Sequence, residues 1–449
     1  MTSSVLSKIR VSFSIIILVL FVSVFTDFRH LIPNRYINIL TFLQFIPSGF
    51  KLINIGIAAG IGFIIVLLLT VLTGRTYCSF LCPLGILQDV FSRTGGRIKK
   101  RFRRFGFKRP HTVIRYILLA ITLIVTLVWG TYLLTLLDPY SIFGRFMTYF
   151  AKPLVLLINN FLSGVLGKFD LYTLVNTPVT KFPLLVYSVP VVFLVLVGIM
   201  SFIHGRLFCN TICPVGTFLG LLSKISFLRI KFDDMKCTRC GRCSLACKSS
   251  CIDFLNKNVD ISRCVACFNC LKSCPDKAMS YGVVSFSKKE NGKKDDEVTD
   301  NERRKIIAGS VLLFLGLSNS SSGQNATVPK PTKASTVKES RKYPVCPPGS
   351  TGIENFTKKC TACSLCITVC PNNVLIPSIR EYGFSGMMQP RLDYHKSFCT
   401  YECVKCLDIC PTGALLPLTL EAKKLTQLGK AVFIKDNCIV KTEKTACGA

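Results

Sequence analysis

The chain has 449 residues, half of them hydrophobic, and its 56 Lys and Arg against 24 Asp and Glu give a formal net charge of +32. This length allows more than one domain, and such a basic balance would ordinarily suggest a nucleic-acid partner. Long uncharged segments and 24 cysteines argue against that partner, because basic loops beside membrane spans and anionic metal–thiolate groups explain the same charge. Disulfides would be expected only if the cysteines lacked metal-ligand spacing.

Four uncharged segments in the first half of the chain predict transmembrane helices. They cover residues 11–26, 52–74, 116–137 and 182–203. The last three reach the roughly 20 apolar residues that a bilayer core requires, and the first is slightly short. A buried core helix is the alternative for each segment, but the presence of four favours spans. The shorter apolar segment 153–167 is expected at the outer interface or as a re-entrant segment.

The basic residues predict the orientation of these spans. Eleven Lys and Arg lie within residues 75–115, against three within residues 28–51. By the positive-inside rule, the segment 75–115 and the N-terminus are expected in the cytoplasm. The basic stretch RIKKRFRRFGFKR is then an inside loop that touches anionic lipid rather than an RNA-binding arm. The interiors of the predicted spans carry no Asp, Glu, Lys, Arg or His, which argues against an ion transporter.

A repeat follows the second and fourth predicted spans. The stretch GRTYCSFLCPLG at 74–85 recurs as GRLFCNTICPVG at 205–216. Each proline is expected to open a short helix as its first residue. The repeat places four thiols on one membrane face, enough for a further metal cluster or a redox-active thiol site, with small buried residues as the alternative. These thiols belong to Cys78, Cys82, Cys209 and Cys213.

The cysteine spacing over residues 237–274 predicts two iron–sulfur clusters. Thiolates at i, i+3 and i+6 wrap one cubane, and in two-cluster ferredoxins the fourth cysteine of each run ligates the other cluster. Structural zinc sites instead use pairs of ligands separated by a longer arm. The spacing assigns one 4Fe–4S cluster to Cys237, Cys240, Cys243 and Cys274, and another to Cys264, Cys267, Cys270 and Cys247. Cys251 could replace Cys247 as a ligand, and the spacing does not decide between them.

Residues 286–345 are expected to form a linker that contains an export signal or a membrane anchor. Arg303 and Arg304 precede an apolar run of about 12 residues, the length of a signal h-region. The paired arginines resemble a twin-arginine export signal, which would carry an already folded cluster domain across the membrane. A plain short anchor is the alternative and gives the same topology.

The last part of the chain repeats the ferredoxin pattern. The run CTACSLCITVCP begins at residue 360, and CTYECVKCLDICP, in which one gap is a residue wider, begins at residue 399. The spacing assigns a third cluster to Cys360, Cys363, Cys366 and Cys410, and a fourth to Cys399, Cys403, Cys406 and Cys370. Cys438 and Cys447 look like the opening of a further run. The chain is therefore expected either to be truncated after Ala449 or to carry two orphaned thiols.

The predicted fold is multi-domain. An α-helical membrane domain with four spans covers residues 1–230, and the signal or anchor segment adds a short fifth apolar stretch within the linker 286–345. Two α+β ferredoxin-like 4Fe–4S domains complete the chain, a cytoplasmic one at 231–285 and an extracytoplasmic one at 346–449.

Together these motifs resemble the NapH and NapG quinol-dehydrogenase proteins, here joined in one chain. The NapH-like part covers about residues 1–285 and the NapG-like part about residues 303–449, while the paired-cysteine motif is shared with NosR-like and CcoG-like membrane ferredoxins. The resemblance implies a protein of the bacterial cytoplasmic membrane that oxidises menaquinol or ubiquinol. It also implies that electrons pass to an extracytoplasmic redox protein or reductase, and the cysteine spacing predicts that they pass through four 4Fe–4S clusters, or five if the paired cysteines bind another. NapG-like proteins carry four clusters, whereas two are complete in this part.

Two hypotheses of different classes follow. The leading one is a quinol dehydrogenase-like electron-transfer subunit; the other is an accessory iron–sulfur protein that supports maturation of another metalloenzyme. Side chains at span ends, where a quinol head group could lose protons, are those of Asp27, His30, Asp138 and His204, and each can equally be a plain interface residue. The sequence identifies neither the quinone nor the terminal acceptor.

Overall fold

The computed structural model describes residues 3–98, 105–128, 130–170, 172–180, 182–283, 344–395, 397–428 and 440. The predicted signal or anchor after Arg303, the basic residues 99–104, and the late cysteines Cys438 and Cys447 lie outside these described residues. The predictions made for them remain predictions.

The first half of the chain forms a bundle of helices. Many Ile, Leu and Val side chains on its outer surface are exposed, as expected of a surface that faces lipid rather than water. A π-helical turn at Met147–Ala151 joins the ninth and tenth helices. The helices are α1 Ser3–Thr26, α2 Asn34–Phe42, α3 Phe45–Asn54, α4 Ile57–Thr73, α5 Tyr77–Phe80, α6 Pro83–Ile98, α7 Thr112–Val128, α8 Tyr132–Leu137, α9 Pro139–Phe146, α10 Lys152–Gly167, α11 Leu184–His204, α12 Leu207–Thr211 and α13 Pro214–Ser223.

Several of these helices could cross a membrane by length and composition. Within the described residues, three are long and apolar enough, namely Val5–Thr26, Pro139–Gly167 and Leu184–His204. The pair α2 and α3, bent by 101°, is a fourth candidate. Helices α4 and α7 have 17 residues each, or about 26 Å, somewhat less than the roughly 30 Å of a hydrocarbon core. The number of spans therefore stays a prediction.

The predicted span 116–137 is not one helix. Helix α7 ends at Val128 and α8 begins at Tyr132. Between them Gly130 has a φ of 93°, a conformation that glycine tolerates and that an α-helix cannot contain. A hydropathy pattern does not detect this interruption, because glycine counts as compatible with an apolar segment.

The segment 153–167, expected at an interface, belongs to a longer helical run that starts at Pro139. The Asp138 carboxylate accepts hydrogen bonds from the backbone N–H groups of Tyr140 and Ser141 at 3.3 and 2.9 Å. An aspartate at the N-cap followed by a proline in the first turn is a strong helix start signal. The run is long because this signal lies well before the apolar segment itself.

The first ferredoxin domain, residues 228–283, is built on short strands and single helical turns. Strand β1 pairs antiparallel with β4, and Ile230 lies opposite Tyr281. Strands β2 and β3 form a small antiparallel hairpin. The elements are β1 Leu228–Phe232, α14 Arg242–Leu245, β2 Ile252–Asp253, β3 Asn258–Val259, α15 Asn269–Ser273 and β4 Met279–Val283.

The second ferredoxin domain, described over residues 344–428, has the same kind of architecture. Its strands β5 and β6 pair antiparallel with Ile376 opposite Arg391. The elements are α16 Ile353–Lys359, α17 Leu365–Thr368, β5 Leu375–Pro377, β6 Pro390–Leu392, α18 Lys405–Asp408 and α19 Leu420–Lys424.

Helix α1 connects the two ferredoxin domains. Near its start Leu6 packs against the core of the first domain, which contains Cys247 and Phe268, and near its middle Phe13 packs on Phe80, with ring centroids 6.0 Å apart. Near its end Phe25 lies in the same buried core as Cys363 of the second domain. The 24 residues of α1 measure about 36 Å, so the two domains dock at opposite ends of the helix bundle.

Candidate iron–sulfur centres

Three of the four ferredoxin cysteine runs share an unusual backbone. In each, the second and fourth residues after the first cysteine have a positive φ; the pairs are Arg239 and Gly241, Ala266 and Phe268, and Ala362 and Ser364. This conformation costs roughly 1–2 kcal/mol for a residue with a side chain. The same strain at equivalent positions indicates loops shaped around a bound group. A helical turn then begins one residue before the third cysteine of each run.

The fourth run differs, as its wider gap predicts. None of residues 399–406 has a positive φ, and Val404 has a φ of −117°. Helix α18 nevertheless begins one residue before Cys406. The extra residue is thus absorbed in the loop, while the position of the third cysteine at a helix start is kept.

Two of the four predicted ligand sets each surround a cavity. One cavity is lined by Cys237, Cys240, Cys243 and Cys274, and the other by Cys370, Cys399, Cys403 and Cys406. In both, the fourth cysteine comes from the other run of the same domain, which is the crossed arrangement of two-cluster ferredoxins. Cys240 is exposed, so the first cavity lies at the protein surface.

The other set of the first domain lies towards the helix bundle. It consists of Cys264, Cys267, Cys270 and Cys247, of which Cys267 also belongs to the core of the bundle. The Cys247 thiol lies within electrostatic range of the other three thiols. The structure thus brings these four cysteines together, and their role as ligands remains a prediction.

Cys251, the alternative ligand, lies beside this set rather than within it. Its side chain is 1% exposed, its Sγ is 3.5 Å from that of Cys247, and it also hydrogen-bonds to Cys264. The hydrogen bond between Cys247 and Cys251 lowers the pKa of Cys247 to about 7. The bonds of Cys251 to Cys247 and to Cys264 raise the pKa of Cys251 well above its usual range. The geometry therefore places Cys247 within the set of four thiols, and Cys251 beside it at hydrogen-bond distance from the Cys247 sulfur.

The bundle-facing set of the second domain contains Cys360, Cys363, Cys366 and Cys410. Backbone N–H groups of Ala362 and Leu415 donate to the sulfurs of Cys360 and Cys410 at 3.5 and 3.4 Å. Hydrogen bonds of this kind set cluster potentials. Tyr140 of α9 is 1% exposed. It lies within electrostatic range of Cys363, Cys366 and Cys410. Among the described residues its hydroxyl has no hydrogen-bond partner.

The paired cysteines of the repeat also converge. Helices α6 and α13 begin at Pro83 and Pro214, which confirms the predicted helix starts. The four side chains of Cys78, Cys82, Cys209 and Cys213 are 2–4% exposed. They lie in the one buried core that also contains Cys267 of the first ferredoxin domain and Cys363 of the second.

The two halves of the repeat interlock through arginines. The Arg206 guanidinium donates to the backbone carbonyl of Cys78, and the Arg75 guanidinium donates to that of Cys209 at 3.1 Å. Both arginines are fully buried. Each half therefore positions the first cysteine of the other half. The linear repeat contains these arginines, but it does not show that each reaches the opposite half.

The repeated glycines make room for this exchange. A Cβ on Gly85 would lie 2.3 Å from the carbonyl oxygen of Cys78, and one on Gly216 would lie 2.1 Å from that of Cys209. Contacts this short are not tolerated between backbone and side-chain atoms. The last Gly in each GRxxCxxxCPxG motif is therefore required for the start of the following helix to approach the carbonyl of the first cysteine in its own half, the carbonyl that accepts from the arginine of the other half.

The cysteine groups are spaced for a metal cluster rather than for a single metal ion. Among the described residues, no three His, Cys, Asp or Glu side chains come together closely enough to hold a single metal ion. A tetrahedral zinc site requires Zn–S distances of about 2.3 Å and hence closely clustered thiolates. A cubane of four irons separates its thiolates further. The wrapped loops, the cysteine-lined cavities and the N–H···S bonds together fit such clusters.

The four side chains considered for a quinol head group do not form one site. Asp27 and His30 follow α1 at the end that meets the second ferredoxin domain, and Asp138 caps α9. His204 ends α11 at the opposite end, where the backbone N–H of Arg206 bonds to Lys248 of the first domain. A quinol site assembled from all four is therefore not present.

Comparison with known proteins gives matches in both halves of the chain. The family model of a 4Fe–4S binding domain matches residues 55–105 and 185–233, and that of a 4Fe–4S dicluster domain matches residues 359–415. No solved structure matches the chain.

Curated relatives match over just under half of this chain. An uncharacterised protein of Methanocaldococcus jannaschii is 25% identical over 48% of the chain and 67% of its own length. The ferredoxin-type protein NapH of Escherichia coli is 28% identical over 46% of the chain and 58% of its own length. The methylamine utilization ferredoxin-type protein MauN of Paracoccus denitrificans is 26% identical, over 39% and 48%. The chain thus spans about half to two thirds of the length of these relatives.

These domains and relatives identify an iron–sulfur electron-transfer protein with membrane helices. The predicted resemblance is thereby confirmed for its NapH-like part, while the NapG-like part remains a prediction. The chain is similar to the NapH-like ferredoxin-type membrane proteins.

Proposed function

We propose that this protein takes electrons from the quinol pool and delivers them to a redox protein outside the cytoplasmic membrane. One observation carries the proposal: ferredoxin domains dock at opposite ends of α1, and a single buried core extends from Cys267 of one to Cys363 of the other. A continuous apolar core excludes water and separates the redox centres from the lipid. An arrangement of this kind suits directed electron transfer between the two ends.

The proposed ligands are the cysteines assigned from spacing. When bound, each 4Fe–4S cluster supplies one-electron transfer. The chain's own residues hold the centres in place, exclude water and donate hydrogen bonds to sulfur. The four sets are Cys237, Cys240, Cys243 and Cys274; Cys264, Cys267, Cys270 and Cys247; Cys360, Cys363, Cys366 and Cys410; and Cys399, Cys403, Cys406 and Cys370.

The first ferredoxin domain is proposed to face the cytoplasm and the second the outside. The end of the bundle that carries the first domain is rich in basic residues, including Arg10, Lys108, Arg115 and Lys248. Basic residues next to membrane spans are retained in the cytoplasm. A reporter enzyme that is active only outside the cytoplasmic membrane, fused after Ala449, tests this sidedness. An active reporter supports the proposal, and an inactive one contradicts it.

Quinol oxidation supplies two electrons and two protons, whereas each iron–sulfur centre carries one electron. Two successive one-electron transfers are therefore required for each quinol. Of the side chains at the span ends, His30 is the proposed proton acceptor. Its pKa is lowered from its usual value chiefly by burial and also by Lys405, so the imidazole is neutral near pH 7 and able to accept a proton.

A soluble reductant is the second candidate donor. Cys240 is exposed on the first domain, and its cavity is accessible to a protein that docks there. Quinol is confined to the lipid and would approach the bundle instead. The two donors therefore predict different points of entry for electrons.

The donor is tested with anaerobically purified full-length protein. Rapid mixing with a menaquinol analogue or with a chemically reduced ferredoxin, followed by freeze-quench electron paramagnetic resonance, reports which clusters are reduced and how fast. Reduction by quinol on the timescale of respiration supports the proposal, and reduction by the ferredoxin alone supports the second candidate. Clusters that neither donor reduces, but that react with an apo-enzyme, would instead indicate an accessory protein that supports maturation of another metalloenzyme.

A further inference from the structure

We propose that Cys78, Cys82, Cys209 and Cys213 together bind one further 4Fe–4S cluster inside the helix bundle, shared by the two halves of the repeat. The proposal deepens the proposed function and rests on it only for the physiological role of this cluster. Its presence in the protein can be tested without reference to any donor.

Neither half of the repeat can bind a cluster alone, because each supplies two thiols. The fold brings the two pairs together: every one of the four thiols lies within electrostatic range of the other three. Cys82 and Cys213 directly precede the helices that begin at Pro83 and Pro214. The Sγ atom of Cys213 accepts the N–H of Gly216 at 3.4 Å, a bond that stabilises a negative sulfur at a helix start.

Two buried arginines lie beside these thiols, and they differ in their partners. Arg206 pairs with the Asp89 carboxylate, which Arg10 and Lys248 share; the latter two also lie within electrostatic range of Cys267 of the first ferredoxin domain. Arg75 bonds only to neutral oxygens, and to the Cys78 sulfur at 3.9 Å, in the described part of the chain. Its buried charge favours a negative group among the thiols.

A thiolate-bound cluster would supply a negative partner for Arg75. Buried cations are stable only when paired or hydrogen-bonded to negative groups. Four neutral thiols, or two disulfides, would leave Arg75 without such a partner among the described residues. A 4Fe–4S cluster with four thiolates brings roughly two negative charges. A single metal ion fits less well, since the described side chains are not arranged closely enough for one.

The site lies on the path between the two ferredoxin domains. On one side, the Ser79 hydroxyl donates to the carbonyl of Val265 at 2.6 Å, between the predicted ligands Cys264 and Cys267. On the other side, Tyr77 is within electrostatic range of Cys82 and of Asp138, and Asp138 in turn is close to Cys363. The cysteines of the repeat thus lie between the bundle-facing ligand sets of the two domains.

Such a cluster would carry one electron at a time between the Cys264 set and the Cys360 set: one ferric ion would become ferrous when the electron arrives and ferric again when it leaves. No covalent bond forms or breaks and no proton is transferred. Each electron received from one set is therefore balanced by an electron released to the other.

The experiment counts iron and acid-labile sulfide in the anaerobically purified full-length protein. Five clusters correspond to about twenty irons per chain and four clusters to about sixteen. We expect about twenty in the wild-type protein, and about sixteen in a Cys78→Ser, Cys209→Ser double variant. A wild-type count of about sixteen, with or without one equivalent of another metal, overturns the proposal. That count requires no variant, so misfolding cannot obscure it.

Cys346→Ser is the matched control, because Cys346 is a half-buried cysteine in none of the ligand sets and hydrogen-bonds to Tyr382. It should retain about twenty irons.

In the double variant, the electron paramagnetic resonance spectra of the remaining four clusters should be unchanged, while a reductant that reduces the first domain should no longer reduce the second. Twenty irons in a protein that quinol cannot reduce would refute the proposed donor and leave this site intact. Reduction by quinol of a protein that contains about sixteen irons would support the proposed donor and refute this site.

Discussion

The two ferredoxin domains are attached to the same helix bundle by different chemistry. A buried ion pair joins the first to the bundle: Lys248 of the domain lies 3.4 Å from the Asp89 carboxylate of α6, which also pairs with Arg206 of the bundle at 2.9 Å. The second is held mainly by neutral hydrogen bonds, such as that from the Asn54 amide to the carbonyl of Thr412 at 2.8 Å. The Tyr149 and Ser364 hydroxyls, 3.2 Å apart, add another.

This difference has energetic consequences. A buried ionic network is strongly destabilised when one partner is lost, because the other charges remain buried without compensation. A neutral hydrogen bond contributes only about 0.5–1.5 kcal/mol. Loss of Asp89 should therefore weaken attachment of the first domain more than loss of any one neutral hydrogen bond weakens attachment of the second.

The largest effect is expected for Asp89→Asn. Removing the carboxylate that three cations share should destabilise the protein by about 3–5 kcal/mol, measured by anaerobic thermal or denaturant unfolding in detergent. Asp408→Asn is the matched control at the other interface, where Asp408 accepts from Asn34, and should cost less than about 1.5 kcal/mol. Equal effects of the two substitutions would remove the contrast between the domains.

A large but local effect is expected within the first domain. Cys247→Ala should lose one cluster, about four irons per chain, because Cys247 lies within range of all three other thiols of its set. Cys251→Ala should keep the iron and lower the midpoint potential of that cluster, since it removes a hydrogen bond to ligand sulfur. Iron analysis and a redox titration distinguish the two roles, and loss of iron in Cys251→Ala would reverse the assignment.

The corresponding substitution at the second domain is Tyr140→Phe. The buried Tyr140 hydroxyl lies beside the bundle-facing thiols of that domain and lacks a partner among the described residues. We expect it to donate to the cluster sulfur, so its removal should lower the midpoint potential of that one cluster without loss of iron. A redox titration followed by electron paramagnetic resonance measures the shift. An unchanged potential would show that the hydroxyl serves packing alone.

The smallest effect is expected for Asn54→Ala. Loss of the bond to Thr412 should cost about 1 kcal/mol and should loosen the second domain before the rest of the protein unfolds. Hydrogen exchange of residues 405–415, followed by mass spectrometry, should rise in this variant while that of residues 262–270 stays unchanged. A uniform rise in both segments would indicate that the two domains unfold as one unit.

Several functional features were predictable from local patterns. The i, i+3, i+6 cysteine spacing is short enough for one loop to wrap one cluster, so the runs and their crossed partners can be read from the chain. Proline after Cys82 and after Cys213 marks the helix starts found at Pro83 and Pro214. Other features could not be read this way. The interruption at Gly130 and the helix start at Asp138 depend on backbone geometry and capping, which a hydropathy pattern ignores.

The sequence by itself determined which residues can bind metal and which segments are apolar, because ligand spacing and hydrophobicity are properties of neighbours in the chain. Only the tertiary structure decided that Arg75 and Arg206 each contact the other half of the repeat and that the four paired cysteines converge. It also decided that the Asp89 carboxylate pairs with three cations. These contacts join residues more than 75 positions apart, and the requirement to compensate buried charge acts through space rather than along the chain.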